Sequence, residues 1–561
     1  MKGKKFLLLL LISAMLCGSF AACDSGVEAI NPVDYSARTD SVEYPADGTV
    51  CYTGKQTVSK LGKSANGKKY FEVDGKPFLY LGAQLRTDFF LQLDNYSLDD
   101  LDFLFRTAAK LNITCIQVPV CWSDVETSEN VYSSAYIDKI MELCNKYSLK
   151  LEILWFGSYM CTYTVADDGN AEDNKHGYVP NYIYADQSTY PSLGYDKSGN
   201  KFDFTGWLGR QYLLMPNVPA LLERESAALR YMMQAVYNYD STHGGRHTLI
   251  GVQIENEADG MIYWRFAEFD LEKTYEGVKN IIPEKITADG LADYCYGEML
   301  EHIDALGAVV KNSDYNCITR HNCTTQFNWE ERIEDFALLE NIDFVGVDPY
   351  NDSVGDMQNY IKKLNALPGN FPHIAENGGE FFNNDLLQLT SFAAGGGYSV
   401  FEVVCTSNEA LKDWELRGVF KDLGNCRFTQ KEQAQYLIDA NRAMKDGHAA
   451  ISNHDDMKVL NGMTSAGLKE NKSTGTINGF SYVCETKDRG VGYVAKKDDY
   501  VYFSSTKADN FTFTADNYDK TKIEVGYFDS KNVWHTEQEI SCKSGKLTLA
   551  PTRCYRIKEM K

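Results

Sequence analysis

Two glutamates stand where a protein can put them to chemical use. In HTLIGVQIENEADG, residues 247–260, an apolar and β-branched run from Thr248 to Ile254 breaks abruptly into Glu255, Asn256 and Glu257. That is the pattern of a strand buried on both faces that stops at a polar cleft. FPHIAENGG, residues 371–379, repeats it with Glu376 and Asn377. Two carboxyl groups facing one cleft suit the cleavage of a glycosidic bond: one, protonated, serves the leaving oxygen, and the other, ionised, attacks the anomeric carbon. Asn256 offers a hydrogen bond to a sugar hydroxyl beside them. Glu255 should face away, because neighbours on a strand alternate sides. The plain alternative is a solvated strand end capped by charges.

Something must hold both glutamates at one end of a sheet. Eight apolar runs, PFLYLGAQ, NITCIQVPVC, LKLEILWF, TLIGVQI, NCITRHN, IDFVGVDPY, FPHIAENGG and GYSVFEVV, are separated by helical patterns or long loops. Helices are expected around 98–111, 135–147, 218–238 and 291–311. Eight such units over residues 67–447 predict an α/β fold, an enlarged (β/α)8 TIM barrel. A doubly wound open sheet is the alternative, weakened because no Gly-rich phosphate loop follows the first strand. The strand ends then gather Arg86, Asp88, Trp122, Glu126, Tyr159, Asn256, Glu257, Arg320, His321, Asp348, Tyr350, Glu376, Asn377 and Glu402 at one mouth. Glu402 either contacts substrate or orders Arg86 or Arg320 in a buried pair. A Tyr-, Asp- and Gly-rich insertion at about 160–215 reads as a lid or pocket wall. From 448 to 561 short alternating segments with turn residues between them predict an antiparallel β-sandwich accessory domain.

The chain of 561 residues has a net charge of −22, which excludes nucleic acid as a partner because no basic face is on offer. Its 36 Tyr and 7 Trp suit stacking on sugar faces. At the N-terminus Lys2, Lys4 and Lys5 precede the apolar run 6–16, and SFAAC places two small residues before Cys23. This is a secretory signal of the lipoprotein kind: residues 1–22 are a signal peptide, Cys23 the lipid attachment, and 23–66 a polar tether. The expected location is the cell envelope, anchored in a membrane by lipid and facing the periplasm or the surface. Most of the fifteen Cys are scattered singly in apolar runs, so buried thiols are expected rather than disulfides. Cys317, His321 and Cys323 are close in sequence but lack a second cluster, so no metal site is expected, and the chemistry requires no cofactor.

VQIENEADG resembles the acid/base motif of glycoside hydrolase families 35 and 42, the β-galactosidase families of clan A. FEVDGKPFLYLG resembles the family 35 opening, VPVCWSDVETSENVYSSAYIDKIMELC the second βα unit of both families, and FGSYMC with YVPNYI their sugar-lining segments. IDFVGVDPY and IAENGG resemble the sixth strand and the nucleophile strand, so the likeness covers roughly residues 68–405. It implies Glu257 as acid/base, Asn256 as its sugar-binding neighbour, Glu376 as nucleophile with Tyr350 hydrogen-bonded to it, and Trp122 and Glu126 as pocket residues. Cys161 is followed by Thr-Tyr-Thr where family 35 has an acid, and the eighth strand lacks a Trp. The resemblance implies a retaining, exo-acting β-glycosidase of glycans, a β-galactosidase first, on a lipoprotein like those of Bacteroidetes. An endo-acting clan A mannanase or glucanase, and a catalytically silent carbohydrate-binding lipoprotein, are the alternatives.

Overall fold

The computed structural model describes residues 52–64, 67–92, 96–160, 177–201, 204–206, 209–325, 329–405, 417–461, 472–486, 489–542 and 544–560. Its centre is a closed barrel of eight parallel strands in chain order: β1 (Leu81–Gln84), β2 (Cys115–Cys121), β3 (Lys150–Phe156), β4 (Leu249–Ile254), β5 (Ile318–Thr324), β6 (Phe344–Asp348), β7 (His373–Gly378) and β8 (Gly397–Phe401). Nearly every residue of these strands is buried, which is why their sequences run apolar without alternation. Among the described residues the main helices around the barrel are α1 (Leu101–Ala109), α2 (Ala135–Lys146), α3 (Pro219–Thr242), α4 (Leu291–Lys311), α5 (Trp329–Ala337), α6 (Val354–Ala366), α7 (Asn384–Ala393) and α8 (Glu432–Asp446). Each buries one stripe. In α2 the buried set Tyr136, Ile137, Ile140, Met141, Leu143 and Cys144 follows the three-and-four spacing of one helix face. The chain is thus a TIM barrel, and it continues into a β-sandwich.

Six strands between Asp456–Asn461 and Cys554–Glu559 form one antiparallel sheet, and four between Lys472–Ile477 and Lys546–Thr548 form a second. Phe480, Phe511 and Phe513 of the smaller sheet and Phe503, Tyr518 and Tyr555 of the larger one share a core between them. The other face of the larger sheet joins the barrel: Tyr493 and Tyr502 belong to the barrel's own hydrophobic cluster, and Arg489 pairs with Asp385 of α7 at 2.7 Å. A short helix, His448–Ser452, precedes the first of these strands.

The bottom of the barrel departs from expectation. The signal peptide 1–22, Cys23 and most of the tether 23–66 lie outside the described residues. The last part of that tether is no linker, for Gln56–Thr57 pairs with Tyr315–Asn316, and Ser59–Lys63 joins Lys69–Val73 in a small sheet. Val58 is buried, and the Ser59 hydroxyl bridges Ile250 and Ile318 at the N-terminal ends of β4 and β5. Two apolar residues among polar ones were too weak a signal for this docking.

Candidate active site

Four strand ends build the centre. At β4 the chain turns sharply, with both Glu255 (φ 58°) and Glu257 (φ 48°) in the left-handed region that side chains disfavour. Such strain, about 1–3 kcal/mol per residue, persists only where the surroundings impose it. Asn322 of β5 imposes part of it: its Oδ1 accepts from the Glu257 amide at 3.4 Å, and its Nδ2 donates to Asn256 Oδ1 at 2.9 Å and Asp348 Oδ2 at 2.6 Å. Gln253 also donates to Asn256 Oδ1, at 2.9 Å. At β7 the register slips between Ile374 and Asn377. His373 lies against Phe344 and Ser399 inside the barrel, and strict alternation would then turn Glu376 outward. The slip re-aims it inward, as irregularities beside active sites do.

Glu257 and Glu376 are 4% and 5% exposed, and the charge of one reaches the other. Their surroundings differ. Burial pushes Glu257 well above the ordinary glutamate range, and the charges of Glu376 and Asp259 push it further. Burial also raises Glu376, but there the Tyr350 hydroxyl donates to Oε2 at 2.5 Å, and Arg86, Arg320 and the Gln84 amide all favour the ionised form. Asp348 is raised by burial and then by both glutamates. Three acidic side chains therefore share one field, and Glu376 is the one equipped to stay charged.

The two arginines have fixed partners. Arg320 grips Glu152 through two hydrogen bonds of 2.8 Å, deep in the barrel, with Gln117 and Tyr80 on the same carboxylate. Arg86 binds Asp88 at 2.9 and 2.6 Å and lies 3.7 Å over the Phe89 ring. Neither depends on Glu402 for its pairing. Glu402 is buried and pushed up to about 8, first by desolvation, with Arg86 opposing and Asp88 adding to the rise. Its Oε1 has no hydrogen-bond partner among the described residues.

Three expected pocket residues lie elsewhere. Trp122 is fully buried and donates its Nε1 to Glu126 at 2.9 Å. Glu126, also fully buried, takes the Asn130 amide, the Tyr182 hydroxyl and Arg224 of α3, so it ties the β2 loop to the insertion and to a helix. Tyr159 sits behind the barrel wall, its ring edge-on to His302 of α4 at 5.1 Å. The short helix Trp122–Val125 and the bend after β3 turn these side chains outward, which strand-end position alone does not reveal. Glu255 faces away, accepting from the Gly157 and Tyr159 amides at 3.1 and 3.0 Å; strict alternation would leave it on the side of Gln253 and Glu257, and the left-handed turn at Glu255 re-aims it.

The site residues that the strand ends did not announce are Gln84 and Asn322. Period-two alternation carried the signal for Asn322, since Arg320, two residues earlier, faces the interior. Cys161 lies outside the described residues.

A family model described as a domain of unknown function, DUF4978, matches residues 299–458, from within α4 to the first sandwich strand. No curated protein sequence matches the chain. Among solved structures the chain is similar to the β-galactosidase from the psychrophilic Marinomonas ef1, at 12% identity and TM-score 0.42 over 66% of this chain and 60% of that one. It is similar to the exo-β-1,4-mannosidase Op5Man5 from Opitutaceae bacterium strain TAV5, at 13% and 0.42 over 69% and 62%. It is also similar to a GH30 endoxylanase from Clostridium papyrosolvens C71, at 10% and 0.41 over 90% and 99%. The chain thus spans about three fifths of the length of the first two of these proteins.

Proposed function

We propose that the protein is a retaining β-glycosidase that removes terminal sugars, with Glu376 as nucleophile and Glu257 as acid/base. One observation carries the reading: two buried carboxyl groups from β4 and β7 share a site, and only Glu376 has a hydroxyl donor and two guanidinium charges disposed to keep it ionised. Glu376 attacks the anomeric carbon as Glu257 gives its proton to the departing oxygen, forming a glycosyl ester. Glu257, now a base, takes a proton from water, which attacks the same carbon and frees Glu376 with the β configuration restored. Asn256, Arg86 and the neutral Glu402 are placed to hold sugar hydroxyls. Tyr178, from the insertion, packs edge-on against Phe156 at 5.7 Å and lies beside Arg86, which supports a walled pocket and hence attack at chain ends.

β-Galactosides are the first substrates proposed, on the resemblance of the IENE and IAENGG segments. Of the residues that the same resemblance would set at the pocket, Trp122 is engaged with Glu126, Glu126 with Arg224, and Tyr159 with His302. A panel of aryl β-glycosides that differ only in the sugar tests both levels. Turnover of at least one member, with the β anomer released first, is the expected result. Release of the α anomer contradicts the retaining mechanism, and no turnover across the panel favours a silent carbohydrate-binding protein.

A further inference from the structure

We propose that Asp259, His321 and Cys323 form a zinc site behind the strand that carries Glu257. On β5 the side chains of Arg320 and Asn322 face the barrel interior, so His321 and Cys323 face outward, toward the helices. Asp259 reaches the same spot from the first turn of the helix Ala258–Glu268, two residues after Glu257. All three are fully buried, and one donor atom from each lies within 4.8 Å of the other two. Ligands at zinc distances stand about 3.3–3.8 Å apart in a tetrahedron, so small side-chain adjustments close the site. Cys317, adjacent to this group in sequence, is not part of it.

The imidazole is already oriented as metal-binding histidines are. His321 Nδ1 donates to the Ile254 carbonyl at 2.7 Å, and the ring stacks on Phe336 of α5 with centroids 4.2 Å apart. The proton on Nδ1 leaves the lone pair on Nε2, a buried atom with no hydrogen-bond partner among the described residues. Both carboxylate oxygens of Asp259 are buried too; they lie near the Gly260 and Thr324 amides, yet neither makes a hydrogen bond of ordinary geometry. The Gly260 and Thr324 amides and the Arg332 charge favour the ionised form of Asp259, whereas a buried imidazole nitrogen without a partner is costly unless something binds it.

Nitrogen, sulfur and oxygen donors together suit zinc, whereas magnesium and calcium take oxygen sets. Binding exchanges one proton: the Cys323 thiol releases it to solvent, and the thiolate joins the imidazole and the carboxylate on the ion. Negative charge from Glu257 and Asp348 reaches the cluster from the pocket side, and Arg332 supplies positive charge from α5. Water completes a fourth position. An ion here ties β5 to the turn that holds Glu257, whichever reaction that glutamate performs.

The test uses the full chain without an affinity tag, stripped by chelator and dialysed against micromolar zinc chloride. About one zinc per chain is expected, with a rise in Tm, and the cobalt form should show a near-ultraviolet thiolate-to-cobalt band. Cys323→Ser should abolish the band. His321→Gln and Asp259→Asn should each weaken zinc binding by at least about tenfold, while Cys426→Ser leaves it unchanged. If the Cys323 variant misfolds, the wild-type cobalt spectrum decides alone. Less than about 0.1 zinc per chain in folded protein, a cobalt form with no thiolate band, or undiminished binding by folded Cys323→Ser overturns the site.

Discussion

In the proposed mechanism Glu257 and Glu376 have the same side chain and opposite tasks, and their neighbours separate them. Glu257→Ala should cost about 10²–10⁴-fold in kcat on substrates with poor leaving groups, yet spare the first step with activated aryl glycosides, which need no proton. Equal losses on both would remove Glu257 as the acid. Tyr350→Phe deletes the donor on Glu376, so the carboxylate loses a stabilising bond and its pKa rises. The acid limb of the kcat/KM profile should therefore move to higher pH while the alkaline limb, set by Glu257, stays in place. Both glutamates were legible in the sequence because each ends a continuous apolar run. Trp122, Glu126 and Tyr159 were misplaced because a half-turn of helix or a bend after the strand decides which way a side chain points. Glu402 was legible as a strand-end acid, but its freedom from an arginine was not, since Asp88 and Glu152 take those partners.

The elements were read more accurately than their interiors. Period-3.6 spacing places α3 correctly from about residue 218, but it does not show that Glu225 lies buried in the middle of its inner face. Glu225 joins three elements: Trp155 Nε1 of β3 donates to it at 2.9 Å, Ser158 Oγ after β3 at 2.5 Å, and His302 of α4 at 3.0 Å. Gly157 has to be glycine beside it, because a Cβ would stand 1.8 Å from Glu225 Oε1. Glu225→Ala leaves an indole and an imidazole buried without their partner. The expected loss is about 3–5 kcal/mol in urea unfolding, and a loss within about 0.5 kcal/mol would show that the cluster bears no strain. The register slip in β7 belongs to the same class of feature. Nothing in HIAENG announces it, since a slip is set by pairing with β8 rather than by local residues.

At the scale of the whole molecule, barrel and sandwich share a hydrophobic cluster, so the sandwich braces α7 and α8 rather than hanging free. The remaining expectation at this scale is the anchor. Wild-type cells fed labelled palmitate should yield a labelled, membrane-associated protein, and Cys23→Ala should be unlabelled and released; equal labelling of the two would end the lipoprotein reading. The stitching of Ser59 to Ile250 and Ile318 then acquires a meaning beyond stability. It fixes the N-terminal segment to the floor of the barrel, and Glu257 and Glu376 open from the opposite rim. With the proposed lipid on Cys23, the line of attachment would meet the barrel at its floor, on the side away from Glu257 and Glu376.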